Sequence, residues 1–167
     1  KRWKLVGLAG ALILTGCGDA DSPPAGQEGW MVGDQDQKFD TIAKHIRGLD
    51  VAMMEIDHRY GELYWAGEDQ NWDYAAYQLR KMELALNNAI ERRPKRAASS
   101  QLFLDTLPTV RTAIDARDGA RFDEAFVRLT GSCNACHAAE DMAFIQVRTP
   151  VTRFSHAYGP GAPEASD

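Results

Sequence analysis

Phe122-Asp123-Glu124-Ala125-Phe126-Val127-Arg128-Leu129-Thr130-Gly131-Ser132-Cys133-Asn134-Ala135-Cys136-His137 decides how this chain is read. Phe122, Ala125, Phe126 and Leu129 recur at helical spacing, so the stretch opens as a helix with one apolar face. It closes on the pattern C-x-x-C-H. Cys133 and Cys136 stand one helical turn apart on a shared face. Two thiols so placed match the two vinyl groups of a haem, and the imidazole of His137 follows as proximal ligand to the iron. At ordinary Cys and His frequencies such a pentapeptide arises by chance in on the order of one chain in 1,000. Half of a zinc site competes with this reading, but zinc needs more ligands and Cys17 is far away. A redox dithiol also competes, but it belongs to a βαβ pattern that this sequence lacks. The expected cofactor is one covalent haem c.

The first residues indicate the compartment. Lys1, Arg2 and Lys4 precede an apolar run from Leu5 to Leu14, which leads into Leu14-Thr15-Gly16-Cys17. Basic start, apolar stretch and small residues before a cysteine form a secretory signal ending in a lipobox. The apolar run is short for a spanning helix. Residues 1–16 therefore read as a cleaved lipoprotein signal peptide, and Cys17 as the lipidated first residue. The expected location is the bacterial periplasm, lipid-anchored to the membrane. Gly18, standing where an Asp favours inner-membrane retention, leans toward the outer one. Lipidation of Cys17 and haem linkage at Cys133 and Cys136 use all three cysteines, leaving no odd thiol in an oxidising compartment.

Loss of three basic residues with the signal takes the formal charge from −5 to −8. That balance speaks against nucleic acid and suits solubility or a basic partner. Residues 17–36, rich in Gly, Asp, Ser and Pro, read as a lipidated flexible tether. Residues 37–156 read as one domain, and residues 157–167 as a loose tail.

Within the domain the apolar pattern is helical. Phe39, Ile42, Ile46, Leu49, Met53, Ile56, Tyr60 and Leu63 form an unbroken seam along a helix of about seven turns. Gly67 is expected to end it and Asn71 to cap the next helix. Trp72, Ala75, Ala76, Leu79, Met82, Leu86, Ala89 and Ile90 carry a second seam, stopped by Arg92-Arg93-Pro94. Ser99 or Ser100 opens a third, through Leu102, Phe103, Leu107, Val110 and Ile114, with Pro108 as a kink and Asp118-Gly119 as its end. The fourth runs from Phe122 through the haem motif to about Met142. Only Phe144-Ile145-Gln146-Val147 suggests a strand. The fold class is all-α, an antiparallel four-helix bundle with covalent haem on the last helix.

In this organisation the chain resembles the cytochrome c′ and class II cytochrome c group. It is also similar to a family of periplasmic cytochrome-like proteins, through Leu63-Tyr64-Trp65-Ala66-Gly67, Asn71-Trp72, Ala75 and Tyr77, then Phe144-Ile145 and Pro150 after the motif. Members of that pattern carry His where this chain has Tyr60, so a role for that His does not transfer. The class II resemblance implies a first-helix side chain over the distal haem face: methionine in low-spin members, an apolar residue in gas-binding ones. It also implies a possible homodimer.

Met53 lies on the seam and is one distal candidate, although a thioether at seam spacing also serves as core filler. His45, beside Ile46, is the other. Met54 lies off the seam, His58 sits among charges, His156 is in the tail, and Met142 is on the same helix as His137. Trp65, Trp72, Tyr64, Tyr74 and Tyr77 read either as a haem wall or as rings stapling the bundle end. Arg92, Arg93, Lys95 and Arg96 read as a solvated helix end or as an anion contact. With a protein ligand in the sixth position the chain is a membrane-anchored one-electron carrier serving redox partner proteins. With that position open it is a gas-binding or sensing haem protein for nitric oxide or carbon monoxide. No distal His/Arg pair marks an enzyme, His45 with Arg47 being the nearest approach to one.

Overall fold

The computed structural model describes residues 22–154 and residue 157. Residues 1–16, read above as a signal peptide, Cys17, His156 and nearly all of the expected tail lie outside the described residues. Among the described residues every regular element is helical, and the one β-bridge, Ala25 with Met31, is isolated. No helix of the described residues is long and apolar enough to cross a membrane. The chain divides into two compact units, one up to Ile46 and one from Arg47 onward.

The N-terminal unit is built around helix α1, Gln35–Ile46. Asp34 and Gln37 cap it reciprocally: Gln37 N–H donates to Asp34 Oδ1 at 2.8 Å and Asp34 N–H to Gln37 Oε1 at 2.9 Å. Residues before it, read from composition as tether, form a loop closed by Ala25 and Met31, with Lys38 Nζ donating to the Ser22 and Pro23 carbonyls. Phe39, Ile42 and Ile46, the first three members of the expected seam, are exposed.

The seam is not one helix. Arg47 adopts a left-handed φ of 65° and Gly48 is extended, so α1 stops at Ile46 and α2, Leu49–Glu68, begins anew. Apolar spacing continues across the break because periodicity counts residues and is blind to one residue's φ.

The second unit contains α2, α3 (Trp72–Arg92), α4 (Ala97–Leu104), α5 (Leu107–Asp115) and α6 (Gly119–Ala139). The expected third helix is two pieces, since Pro108 can occupy the first turn of a new helix but not the interior of an old one. Counted as one column, α4 and α5 join α2, α3 and α6 in a helical bundle. Leu63, Leu79, Met82, Val110, Phe122 and Leu129 are among the side chains fully sealed in its core. Tyr74 Oη donates to Glu62 at 2.6 Å and Arg59 to Gln78 at 3.0 Å, so α2 and α3 run in opposite directions.

Asn71 caps α3, accepting from Tyr74 N–H, and Arg93-Pro94 follows its end, as the sequence indicates. Two expected terminators have other roles. Gly67 lies inside α2, buried against Phe122, and the chain reverses instead at Gln70, with φ 53°. Asp118 opens α6, its Oδ1 accepting from Arg121 N–H at 3.1 Å. Neither serine opens α4, which starts at Ala97 after a turn of 3-10 helix over Pro94–Arg96.

Candidate haem-attachment site

The C-x-x-C-H motif occupies the last turns of α6, and its position at a helix C-terminus shapes its chemistry. Cys133 and Cys136 are both free thiols. Cys133 packs against the core beside Tyr60, and burial, with the neighbouring Cys136, pushes its pKa up to about 12. Burial also raises Cys136, against an opposing hydrogen bond from Ser99. Reactive C-x-x-C dithiols gain thiolate character at helix N-termini or beside cations. Here the negative end of the helix dipole and desolvation both act the other way. The pair is poorly suited to thiol–disulfide exchange. A closed zinc site is also unsupported, since no three His, Cys, Asp or Glu side chains cluster for a metal among the described residues.

His137 has a defined tautomer. Its Nδ1 lies 2.9 Å from the carbonyl oxygen of Ile145. A carbonyl only accepts, so in the neutral ring Nδ1 carries the hydrogen and Nε2 the lone pair. Metal-bound imidazoles nearly always show this arrangement, one ring nitrogen donating to a backbone carbonyl or carboxylate while the other faces the metal. The donor set fits an axial haem ligand flanked by two linking thiols.

The carbonyl comes from a segment that the chain folds back along α6. Asp141, with φ 59°, reverses the direction, and Met142 N–H closes the turn on His137 O at 2.8 Å. The Phe144–Val147 run is not a strand: Phe144 and Ile145 lie in a turn, with Ile145 N–H donating to Met142 O at 2.9 Å, and no regular structure follows from Gln146. The Ile145 carbonyl and the Val147 backbone bond to side chains of α6 instead of a neighbouring strand. Val147 N–H donates to Asn134 Oδ1 at 2.8 Å, and Asn134 Nδ2 donates to Val147 O at 3.0 Å. Further along, Tyr60 Oη donates to Arg148 O at 3.3 Å and pairs with Thr130 Oγ1 at 2.7 Å. Arg153 forms a bidentate pair with Asp69 at 2.7 Å for each contact, and its guanidinium lies 4.9 Å over the Trp65 ring.

The contacts of α2 with α6 fix the height of Met53. Tyr60 meets Thr130, Tyr64 meets Phe126 at 5.1 Å between rings, and Gly67 meets Phe122. The helices therefore run in opposite directions. Met53, two turns before Tyr60, comes level with His137, two turns beyond Thr130. Its side chain is half-buried against the core. Met54, His58 and Met142 are exposed. His45 belongs to the N-terminal unit, where its ring meets Trp30 edge-on at 4.9 Å. Because α1 and α2 are separate helices, it does not share a helix with Met53.

Most of the aromatic group packs the bundle away from the motif: Trp72 lies against Phe122, and Tyr77 stacks on Tyr74. Tyr60 is the ring beside Cys133. Arg96 pairs with Glu140, which also accepts from Ser99, so the basic run abuts the motif-bearing end of α6. Sequence reading missed Asn134, Tyr60 and the Ile145 carbonyl. The available signal was a polar amide between the two cysteines and a short apolar run just after the helix. Compared with protein families, with curated proteins and with solved structures, the chain matches none.

Proposed function

We propose that this chain is a monohaem c-type cytochrome that carries single electrons. In this reading it is an antiparallel four-helix bundle with haem c on its last helix, of the cytochrome c′ and class II kind. A lipid on Cys17 anchors it to the bacterial membrane on the periplasmic side, and redox partner proteins exchange electrons with it. The observation that carries the reading is the His137 Nδ1–H to Ile145 bond, which leaves Nε2 as a free donor one residue from a pair of reduced thiols.

Each residue then has a defined task. Cys133 and Cys136 would hold the haem through two thioethers, each thiol adding its S–H across one vinyl group. No oxidant is consumed. His137 Nε2 would hold the iron, while the Ile145 carbonyl orients the ring and raises its basicity. Bound there, the haem iron supplies a ferric–ferrous couple that the bundle tunes through axial ligand, burial and hydrogen bonding. Met53, level with His137 and half-buried, would offer a thioether donor to the bound group, and this favours electron transfer over gas binding.

The test is periplasmic expression of the full chain with the haem-attachment machinery. Intact mass then reports covalent haem, and ferric and ferrous optical spectra are taken with and without carbon monoxide. Covalent haem with a low-spin spectrum indifferent to carbon monoxide is expected. Met53→Ala should convert it to a carbon-monoxide-binding form. A high-spin wild type that binds carbon monoxide would replace electron transfer with gas binding, and absence of covalent haem would end both readings.

A further inference from the structure

We infer that Asn134 is a positioning residue that sets the tautomer of His137 from a distance, through the returning segment. Its side-chain amide behaves like a peptide group of a neighbouring strand. It accepts from Val147 N–H at 2.8 Å and donates to Val147 O at 3.0 Å, fixing that residue's backbone at both polar atoms. Val147 lies two residues beyond Ile145, so the chain allows at most about 7 Å between them. Asn134 and His137 lie three residues apart on α6, so they share a face one turn apart. Locking Val147 on Asn134 therefore delivers the Ile145 carbonyl to His137 Nδ1. Both ends of the segment are fixed independently. The Asp141 turn holds one, and the Asp69–Arg153 pair, with side chains only 9% and 15% exposed, holds the other.

The consequence is a reversed preference. An unconstrained histidine side chain in water favours the Nε2–H tautomer, which has no lone pair at Nε2. The returning segment imposes Nδ1–H, so the ring is ready to bind metal through Nε2 before any metal arrives. The inference uses the proposed haem site for its purpose but not for its geometry, so the two can fail separately.

The full chain, produced without haem attachment and labelled with nitrogen-15, gives the direct readout. Its His137 ring nitrogens should report Nδ1–H at neutral pH, and Val147 N–H should be protected from exchange. Asn134→Ala should shift the ring toward Nε2–H and speed Val147 exchange by about tenfold, the loss expected for one or two net hydrogen bonds. Asn134→Asp keeps the acceptor for Val147 N–H and should restore most of the protection. In the haem-loaded protein Asn134→Ala should keep covalent haem but raise the midpoint potential, because a less basic imidazole stabilises ferric iron less. A wild-type chain with Nε2–H at His137, or with Val147 exchanging like an exposed amide, overturns the inference without any variant. An unchanged tautomer and exchange rate in Asn134→Ala overturns it too. A chain that never takes up haem yet shows Nδ1–H and a protected Val147 retains this inference and loses the cytochrome reading.

Discussion

Gly67→Ala is a stringent test of how α2 and α6 meet. A Cβ at Gly67 would lie 2.6 Å from Phe122 Cδ1 and closer still to Cε1. Carbon atoms in contact prefer about 3.5–4.0 Å, so the ring must move by about 1 Å or more. Phe122 has little room to do so. It is 1% exposed and lies between Trp72, at 5.9 Å between ring centroids, and Phe126, at 5.8 Å. Overpacking in such a place costs ~3 kcal/mol, the upper part of the usual range. Replacing glycine by alanine inside a helix returns ~1 kcal/mol. The net loss is about 2 kcal/mol, which at an ordinary urea slope lowers the unfolding midpoint by about 1 M. Urea melts followed by helical circular dichroism measure it. Phe122→Leu gives the ring's space back, so Gly67→Ala/Phe122→Leu should cost less than the sum of the two single variants. A Gly67→Ala midpoint at or above wild type, or strict additivity with Phe122→Leu, would falsify the close approach.

Ser100 is fully buried and its Oγ has no hydrogen-bond partner. Ser100→Ala should therefore be neutral or stabilising by ~1 kcal/mol in the same melts, and a clear loss would mean that the hydroxyl is satisfied in solution. Asp69→Asn removes the carboxylate from the bidentate pair with Arg153 and should cost more than ~1 kcal/mol, whereas a pair behaving as exposed would cost less than that. Cys133, pushed up to about 12 chiefly by burial, should carry about a thousandfold less thiolate than an ordinary thiol at pH 8. In the haem-free chain iodoacetamide should therefore label Cys136 well before Cys133 by peptide mass, and equal rates would contradict the burial. Raised folded values mean that the native state keeps its proton where the unfolded chain has released it. Cys133, and Tyr60 at about 12, thus favour folding below pH ~9–10 and lose that contribution as pH rises toward 12. Melts of the haem-free chain should show stability falling across that window, and a flat profile would count against both shifts.

The sequence alone determined the helical character and most of the seams, and it carries the motif on which the proposed chemistry rests, because each is written in local spacing. Asn71 before Trp72, Arg93-Pro94 after α3 and the C-x-x-C-H pattern act through neighbours within one or two turns, and the structure places these helix boundaries where the sequence does. Where partners lie far apart in the chain, local spacing carried no information. The apolar seam gave no sign that Arg47 turns left-handed and divides it. Gly67 looked like a helix end, because its real neighbour, Phe122, is brought in by packing of α6. Met53 sat on a seam, but only the pairing of Tyr60 with Thr130 makes it level with His137. The Ile145 carbonyl has no side-chain identity to read. Tertiary structure decided its role by turning the chain at Asp141 and laying it back along α6, where a backbone oxygen fixes which nitrogen of His137 stays free.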